Sequence, residues 1–341
     1  MGTWGILTGH SESIIIENNK TSHSGTQHGI YFSNSADHAI IRGNTCFSNA
    51  GCGIHMNSDE SMGGDGIITD ALVENNIIYD NGVLGGAAIN MDGVQNSKVI
   101  NNLLYNNHAG GISVFQIDGK EPAKNNFFYH NTIMMPADGR WAININSAST
   151  GNTVYNNILL SYHSFRGSIT IDNASLAGFK SDYNAVLDRF SDDDDNSTIT
   201  LATWRTQTGQ DAHSMIVSNT ELFINAASDD YHLKSGCKAV NAGTSLVSAT
   251  VAKDREGHAR PMGTGFDIGC YEFVEGVVSY TLTVTGGSGG GVYASGSVVN
   301  ISADAPASGK IFDRWTGSVS GIANVDVYKR QGFFALNNRL I

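Results

Sequence analysis

Two short hydrophobic–polar patterns repeat along the first half of the chain, out of phase with each other. The first is an apolar residue, two others, then Asn. It runs from Ile16 to Asn19, Ile41 to Asn44, Val73 to Asn76, Val99 to Asn102, Phe128 to Asn131 and Val154 to Asn157, with the closing asparagines 25, 32, 26, 29 and 26 residues apart. Two positions on stands a mostly apolar residue: Thr21, Cys46, Ile78, Leu104, Ile133, Leu159. The second pattern is a small residue, Ile, a polar residue and an apolar one: Gly29-Ile-Tyr-Phe32, Gly53-Ile-His-Met56, Ala88-Ile-Asn-Met91, Gly111-Ile-Ser-Val114, Ala142-Ile-Asn-Ile145, Ser168-Ile-Thr-Ile171. Alternation with period two marks a strand with one buried face. A rung of about 25 residues holding such strands cannot bury its own apolar face; stacking rungs does so, each strand pairing in parallel with its equivalent in the next. The patterns therefore predict an all-β chain built as a parallel β-helix. Ile30, Ile54, Ile89, Ile112, Ile143 and Ile169 should form one buried stack. Asn accepts left-handed backbone at turns, and identical asparagines stacked at strand spacing hydrogen-bond in ladders.

Composition supports this. Of 341 residues, 33 are Asn, 26 of them before residue 200, and 40 are Gly against 4 Pro. With 40% apolar and 9% aromatic residues the chain can build a core. A net charge of −12 makes it a poor partner for nucleic acids or anionic membranes. No apolar run approaches the length of a membrane span, and the N-terminus carries no basic start followed by an apolar core.

Past Phe190 the periodicity fades, so 1–190 are read as β-helix rungs and 191–275 as the last rungs and cap. The run Ser191-Asp-Asp-Asp-Asp-Asn196 reads as a solvated turn rather than a cation site. Thr200–Gly209 reads as a short amphipathic helix over the solenoid end, stopped by glycine. Cys46 and Cys52 read as buried thiols, and Cys237 and Cys270 as a possible disulfide pair, which would point to an oxidising compartment. Residues 276–326 read as a separate small β-domain: a strand Tyr280–Thr285, a glycine loop 286–291, a strand Gly296–Ser302, then Phe312-Asp-Arg-Trp-Thr-Gly317. No helix and no Lys-Ser/Thr follow that loop, so it is not a phosphate cradle. The tail 327–341 reads as sequence foreign to that domain, and the chain as a truncated secreted or cell-surface protein.

From about residue 5 to 273 the repeats, together with Asp230-Tyr-His-Leu-Lys234, Ala239-Val-Asn-Ala-Gly243, Arg260-Pro-Met-Gly263 and Asp267-Ile-Gly-Cys-Tyr-Glu272, resemble the bacterial right-handed parallel β-helix repeat proteins of the pectate-lyase-like superfamily. Residues 276–326 resemble the divergent internalin-B-type repeat. The first resemblance implies the fold. For activity it spans lyases, hydrolases, epimerases and non-catalytic surface proteins.

Candidate chemistry lies on the outward positions of the second pattern. Tyr31, His55, Asn90, Ser113, Asn144 and Thr170 form a polar column beside a small-residue column, which reads either as a groove for an extended glycan or as ordinary solvated sheet. A uronate lyase must neutralise the substrate carboxylate and supply a base and an acid. His55, Tyr31 and Asp92 are the catalytic candidates. Asn90, Lys120, Arg140 and Arg166 are candidates for substrate binding, and Asn57, Asp59 and Asp92 for Ca²⁺ through oxygen ligands. Two inserted loops, 57–65 and 116–121, flank the column, where function on a repeat scaffold usually sits. The expected activity is a polysaccharide lyase acting on an acidic glycan, as a monomer. The alternatives are a glycan-binding or adhesin-type stalk and a glycoside hydrolase. Asn90-Met-Asp-Gly93 resembles part of a polygalacturonase motif, but the other elements of that motif are absent.

Overall fold

The computed structural model describes residues 2–275, 279–294, 297 and 299–307. The segments 312–317 and 327–341 singled out above lie outside the described residues. The chain divides into two units, 1–218 with 236–273, and 219–235 with 274–341.

The first unit is a right-handed parallel β-helix. Sheet A stacks Ile6–Gly9, Ile30–Ser33, Ile54–Asn57, Ala87–Asp92, Gly110–Phe115, Ile143–Ile145, Ile169–Ile171 and Phe190–Ser191. Sheet B carries the Ile16-to-Val154 column in seven strands from Ile15–Glu17 to Lys180–Asp182. Sheet C carries the Cys46-to-Leu159 column in eight, from Lys20–Ser22 to Met215–Ile216. The predicted register holds: Ile30, Ile54, Ile89, Ile112, Ile143 and Ile169 pair in sequence and all are fully buried. Each contributes about 1.5–3 kcal/mol by leaving water.

The asparagine dipeptides divide their labour. The first residue of each takes the left-handed turn: Asn18, Asn75, Asn101 and Asn156 have φ of 54–58°, and Gly43 occupies the same place at 63°. The second faces inward and builds a ladder. Asn102 Nδ2 donates to Asn131 Oδ1 (3.0 Å) and Val73 O (2.9 Å), while its Oδ1 accepts from the Asn76 amide and Nδ2. The ladder runs from Asn19 to Asn184. Two further ladders, through Asn49, Asn81 and Asn107 and through Asn126 and Asn152, were not singled out in the sequence.

Helix Leu201–Thr208 is capped by Thr200 and ended by Gly209 in left-handed conformation (φ 70°), and sets Leu201 and Trp204 into the solenoid core. Cys46 and Cys52 are buried thiols; Cys237 and Cys270 are thiols too, with no disulfide between them. Cys270 is instead held by its amide on Thr132 Oγ1. The acidic run is more than a solvated turn. Asp195 accepts from Trp141 Nε1 (2.6 Å) and from the Arg166 guanidinium (2.8 Å), and its amide donates to Thr170 Oγ1. It thereby covers Thr170, the last residue of the Tyr31-to-Thr170 column.

The second unit pairs Phe223–Asn225 with Asp230–Leu233, and Ser279–Leu282 with Gly291–Ala294, both antiparallel. The partner of the 279–282 strand thus begins at Gly291, the end of the segment read as a loop, because the glycines before it make the reversal.

Candidate functional site

In-register stacking brings Tyr31, His55, Asn90, Ser113, Asn144 and Thr170 into one outward row on sheet A. The small residues before each Ile do not flank that row as expected: Ala88 and Ala142 are fully buried in the solenoid core, and Ser168 Oγ donates to the buried Leu159 carbonyl, so this column packs inward at the junction with sheet C. Gly29 and Gly53 are obligatory there: a Cβ on Gly53 would lie 2.3 Å from the Ile78 side chain, and one on Gly29 2.7 Å from the next rung's carbonyl.

The row is richest at its N-terminal end. The Tyr31 ring lies 5.1 Å from His55, 5.3 Å from His28 and 6.3 Å, stacked, from Trp4. Asn57 Nδ2 donates to the Tyr31 hydroxyl (3.0 Å) and to Asp118 Oδ2 (3.1 Å). Burial pushes the Tyr31 hydroxyl above its ordinary pKa; the Asn57 bond pulls it back, and Asp59, Asp118 and Asp92 push it further up. Cys52 donates its amide to His28 Nδ1 (2.9 Å), and His28 Nε2 lies 3.0 Å from His55 Nδ1.

Burial holds His28 down at about 4; burial and the neighbouring His28 hold His55 down at about 3. Both folded values lie below the ordinary 6.5, so below pH 6.5 the unfolded chain binds protons that the folded chain refuses. The stabilisation is complete above pH 6.5 and drains away as pH falls towards 4 and then 3. Replacing both residues by Gln is expected to flatten the urea midpoint between pH 7.5 and 4.5, removing roughly 2–4 kcal/mol of acid sensitivity. An unchanged slope rules this out.

Asp92 lies one rung on but is engaged elsewhere. Its carboxylate accepts from the amides of Ile117 (2.8 Å), Asp118 (2.8 Å) and Gly119 (3.3 Å), and the residue is 1% exposed. Burial, the largest influence, raises its pKa, and the three amides oppose that. Asp92 is thus the anchor of the 116–119 turn, and the structure does not present it to a substrate or a cation. The two inserted loops join into one wall through Glu60 N to Asp118 O, Lys120 N to Gly66 O, and an Asp59–Gly119 bridge. Asp92→Ala is expected to cost about 2–3 kcal/mol locally, read as faster amide exchange at Ile117, Asp118 and Gly119. Unchanged exchange there would remove the anchor role.

The other candidates are spread out. Asn90 stands beside His55 in the row and is buried. Lys120 is half exposed on the wall, 3.8 Å from Glu60. Arg140 is exposed, and Arg166 is bound to Asp195. Asn57 belongs to the Tyr31 cluster, whereas Asp59 turns its Oδ1 to the Ser61 amide and hydroxyl. With Asp92 taken up by three amides, Asn57, Asp59 and Asp92 do not converge as an oxygen cage for Ca²⁺. Among the described residues, only His28, Cys52 and His55 bring three His, Cys, Asp or Glu ligand atoms within 4.8 Å of one another. The facing nitrogens of the two imidazoles are already donor and acceptor to each other, which leaves no free lone pair between them for a cation.

Sequence reasoning missed His28, Trp4 and Asp118, and read Cys52 as a buried thiol without its place beside His28. His28 and Cys52 both directly precede the small residue of a repeat, one rung apart, and that coincidence was readable.

No helix among the described residues is long and apolar enough to cross a membrane. No curated protein matches the chain. Among solved structures it is similar to a periplasmic alginate epimerase (16% identity, TM-score 0.39), covering 50% of this chain and 35% of that one. It is also similar to a pectate lyase (12%, TM-score 0.41; 74% and 69%) and to the Dettilon tailspike protein (23%, TM-score 0.35; 46% and 30%). The chain thus spans about a third of the epimerase's length. Residues 280–332 match the divergent InlB B-repeat domain. The right-handed β-helix region matches residues 4–186, more than half of the chain, which belongs to that family.

Proposed function

We propose that this chain is a secreted carbohydrate-active protein that lays an acidic glycan along sheet A and cleaves it by β-elimination at Tyr31. The observation that carries this reading is the convergence on the Tyr31 hydroxyl. It receives the Asn57 N–H at 3.0 Å, is flanked by two imidazoles, and stands at the head of the outward polar row of sheet A. Elimination asks for one group to take the proton beside the uronate carboxylate as the C4–C5 double bond forms, and to return a proton to the leaving oxygen at C4. Tyr31 serves both steps, and the Asn57 donor stabilises its phenolate.

Glycan binding without chemistry is the second reading. It is favoured by the imidazoles, which are neutral and have no free lone pair for a base, and by the raised Tyr31 pKa. The test is ultraviolet absorbance of the unsaturated uronate product on pectate, alginate, hyaluronan, chondroitin and ulvan, with and without Ca²⁺. A signal establishes the lyase. Binding with no signal establishes the second reading, and new reducing ends without absorbance establish a hydrolase.

A further inference from the structure

The two imidazoles beside Tyr31 form a one-way hydrogen-bond chain whose direction is set by a backbone amide. Cys52 N–H donates to His28 Nδ1. A ring nitrogen that accepts carries no hydrogen, so neutral His28 holds its hydrogen on Nε2. That hydrogen points at His55 Nδ1, 3.0 Å away. His55 Nδ1 therefore accepts, and His55 holds its own hydrogen on Nε2. The reverse order would set two hydrogens against each other between Cys52 N and His28 Nδ1. His55 Nε2 is buried and has no partner among the described residues.

We infer that His28 is a positioning residue that locks His55 as a permanent hydrogen-bond donor on the floor of sheet A, and that the ligand atom His55 meets is the carboxylate oxygen of a uronic acid. The identity of the ligand rests on the elimination reading; the direction of the chain does not.

Three observations bear on the ligand. First, a locked donor selects an oxygen that only accepts, which in a sugar polymer is met best by a carboxylate. Second, Asn57 Oδ1, two residues along the same outward face, is also buried without a partner among the described residues. Its Nδ2 is spent on Tyr31 and Asp118, so it offers an acceptor. A donor beside an acceptor suits a carboxylate beside a ring hydroxyl. Third, the groups around His55 are His28, Cys52 and Tyr31, with Asp59, Asp92 and Asp118 beyond Tyr31, and none of these supplies a cation. A neutral donor is then what meets the charge that builds on the carboxylate as the adjacent proton leaves, and such a bond strengthens as that charge grows.

The experiment is a long-range proton–nitrogen correlation spectrum of the ¹⁵N-labelled protein, which separates protonated from bare ring nitrogens. Eleven histidines are present, so the two signals are assigned with His28→Gln and His55→Gln. At neutral pH both rings should carry their hydrogen on Nε2. Trigalacturonate should move the His55 Nε2 signal, and the trisaccharide with its carboxylates reduced to alcohols should not. In His28→Leu, His55 should become a mixture of tautomers and bind trigalacturonate about tenfold more weakly. Should that variant fail to fold, the wild-type spectrum still decides the chain direction. Hydrogen on Nδ1 of either ring, or a doubly protonated ring at neutral pH, overturns the lock. Correct tautomers with an unmoved His55 signal overturn the carboxylate assignment and the uronate reading, and leave the donor assignment standing.

Discussion

Tyr31→Phe is expected to lower turnover of an acidic glycan by about 10²–10⁴-fold while leaving the melting transition and glycan binding close to wild type. The substitution removes one oxygen. The ring keeps its stacking on Trp4 and its contacts with His28 and His55, and Asn57 Nδ2 keeps Asp118 as a partner. Loss of turnover without loss of binding is therefore specific to proton transfer. The wild-type rate should also climb on the alkaline side. Burial and the three nearby carboxylates raise the Tyr31 pKa, so the phenolate that acts as base becomes populated only as pH rises towards that value. A Tyr31→Phe protein as active as wild type places the centre elsewhere on the sheet. A wild-type profile that peaks below pH 7 leaves no room for a tyrosine base.

Asn102→Ala is expected to cost about 3–5 kcal/mol of stability. The residue sits mid-solenoid, and its side chain makes four hydrogen bonds to two neighbouring rungs. Truncation takes the partner of the buried Asn76 amide and one bond each from the Val73 carbonyl, from Asn76 Nδ2, which keeps Ile41 O, and from Asn131 Oδ1, which keeps the Asn102 amide. A buried group left unmet costs about 1–3 kcal/mol. Asn19→Ala, at the exposed first rung, should cost about 1 kcal/mol or less, because water replaces what is lost. Chemical denaturation of the two variants measures the contrast. Equal costs would mean that the ladder is decoration on a solenoid held by its apolar stack alone.

Much of the fold was legible because a repeat writes the same physics many times. Period-two alternation identified the inward isoleucines, and their register followed once stacking was inferred. The ladder through Asn102 was readable from its own spacing. Those through Asn81 and Asn126 were not, because Ser24 and Ser97 interrupt the identity of their columns while keeping the hydrogen bonds.

At the site the split is sharper. Tyr31, His55 and Asn57 were legible, since they occupy outward positions of a recognised strand. The role of Asp92 was not. It shares that pattern, and only the return of the 116–119 turn onto the same rung supplies the three amides that take up its carboxylate. Asp195 was likewise read from a charge run, and its hold on Trp141 and Arg166 depends on which rung the run folds back upon.

The sequence by itself determined the solenoid, its inward faces and the outward row, because burial and strand pairing act at fixed spacings along the chain. Only the tertiary structure decided which polar groups on that row are spent and which are open. Hydrogen bonds are directional and are claimed by residues distant in sequence, from loops whose path no local period encodes. His28, His55 and Cys52 belong to two adjacent rungs, and the order of their hydrogens follows from one backbone amide that the pattern of residues does not reveal.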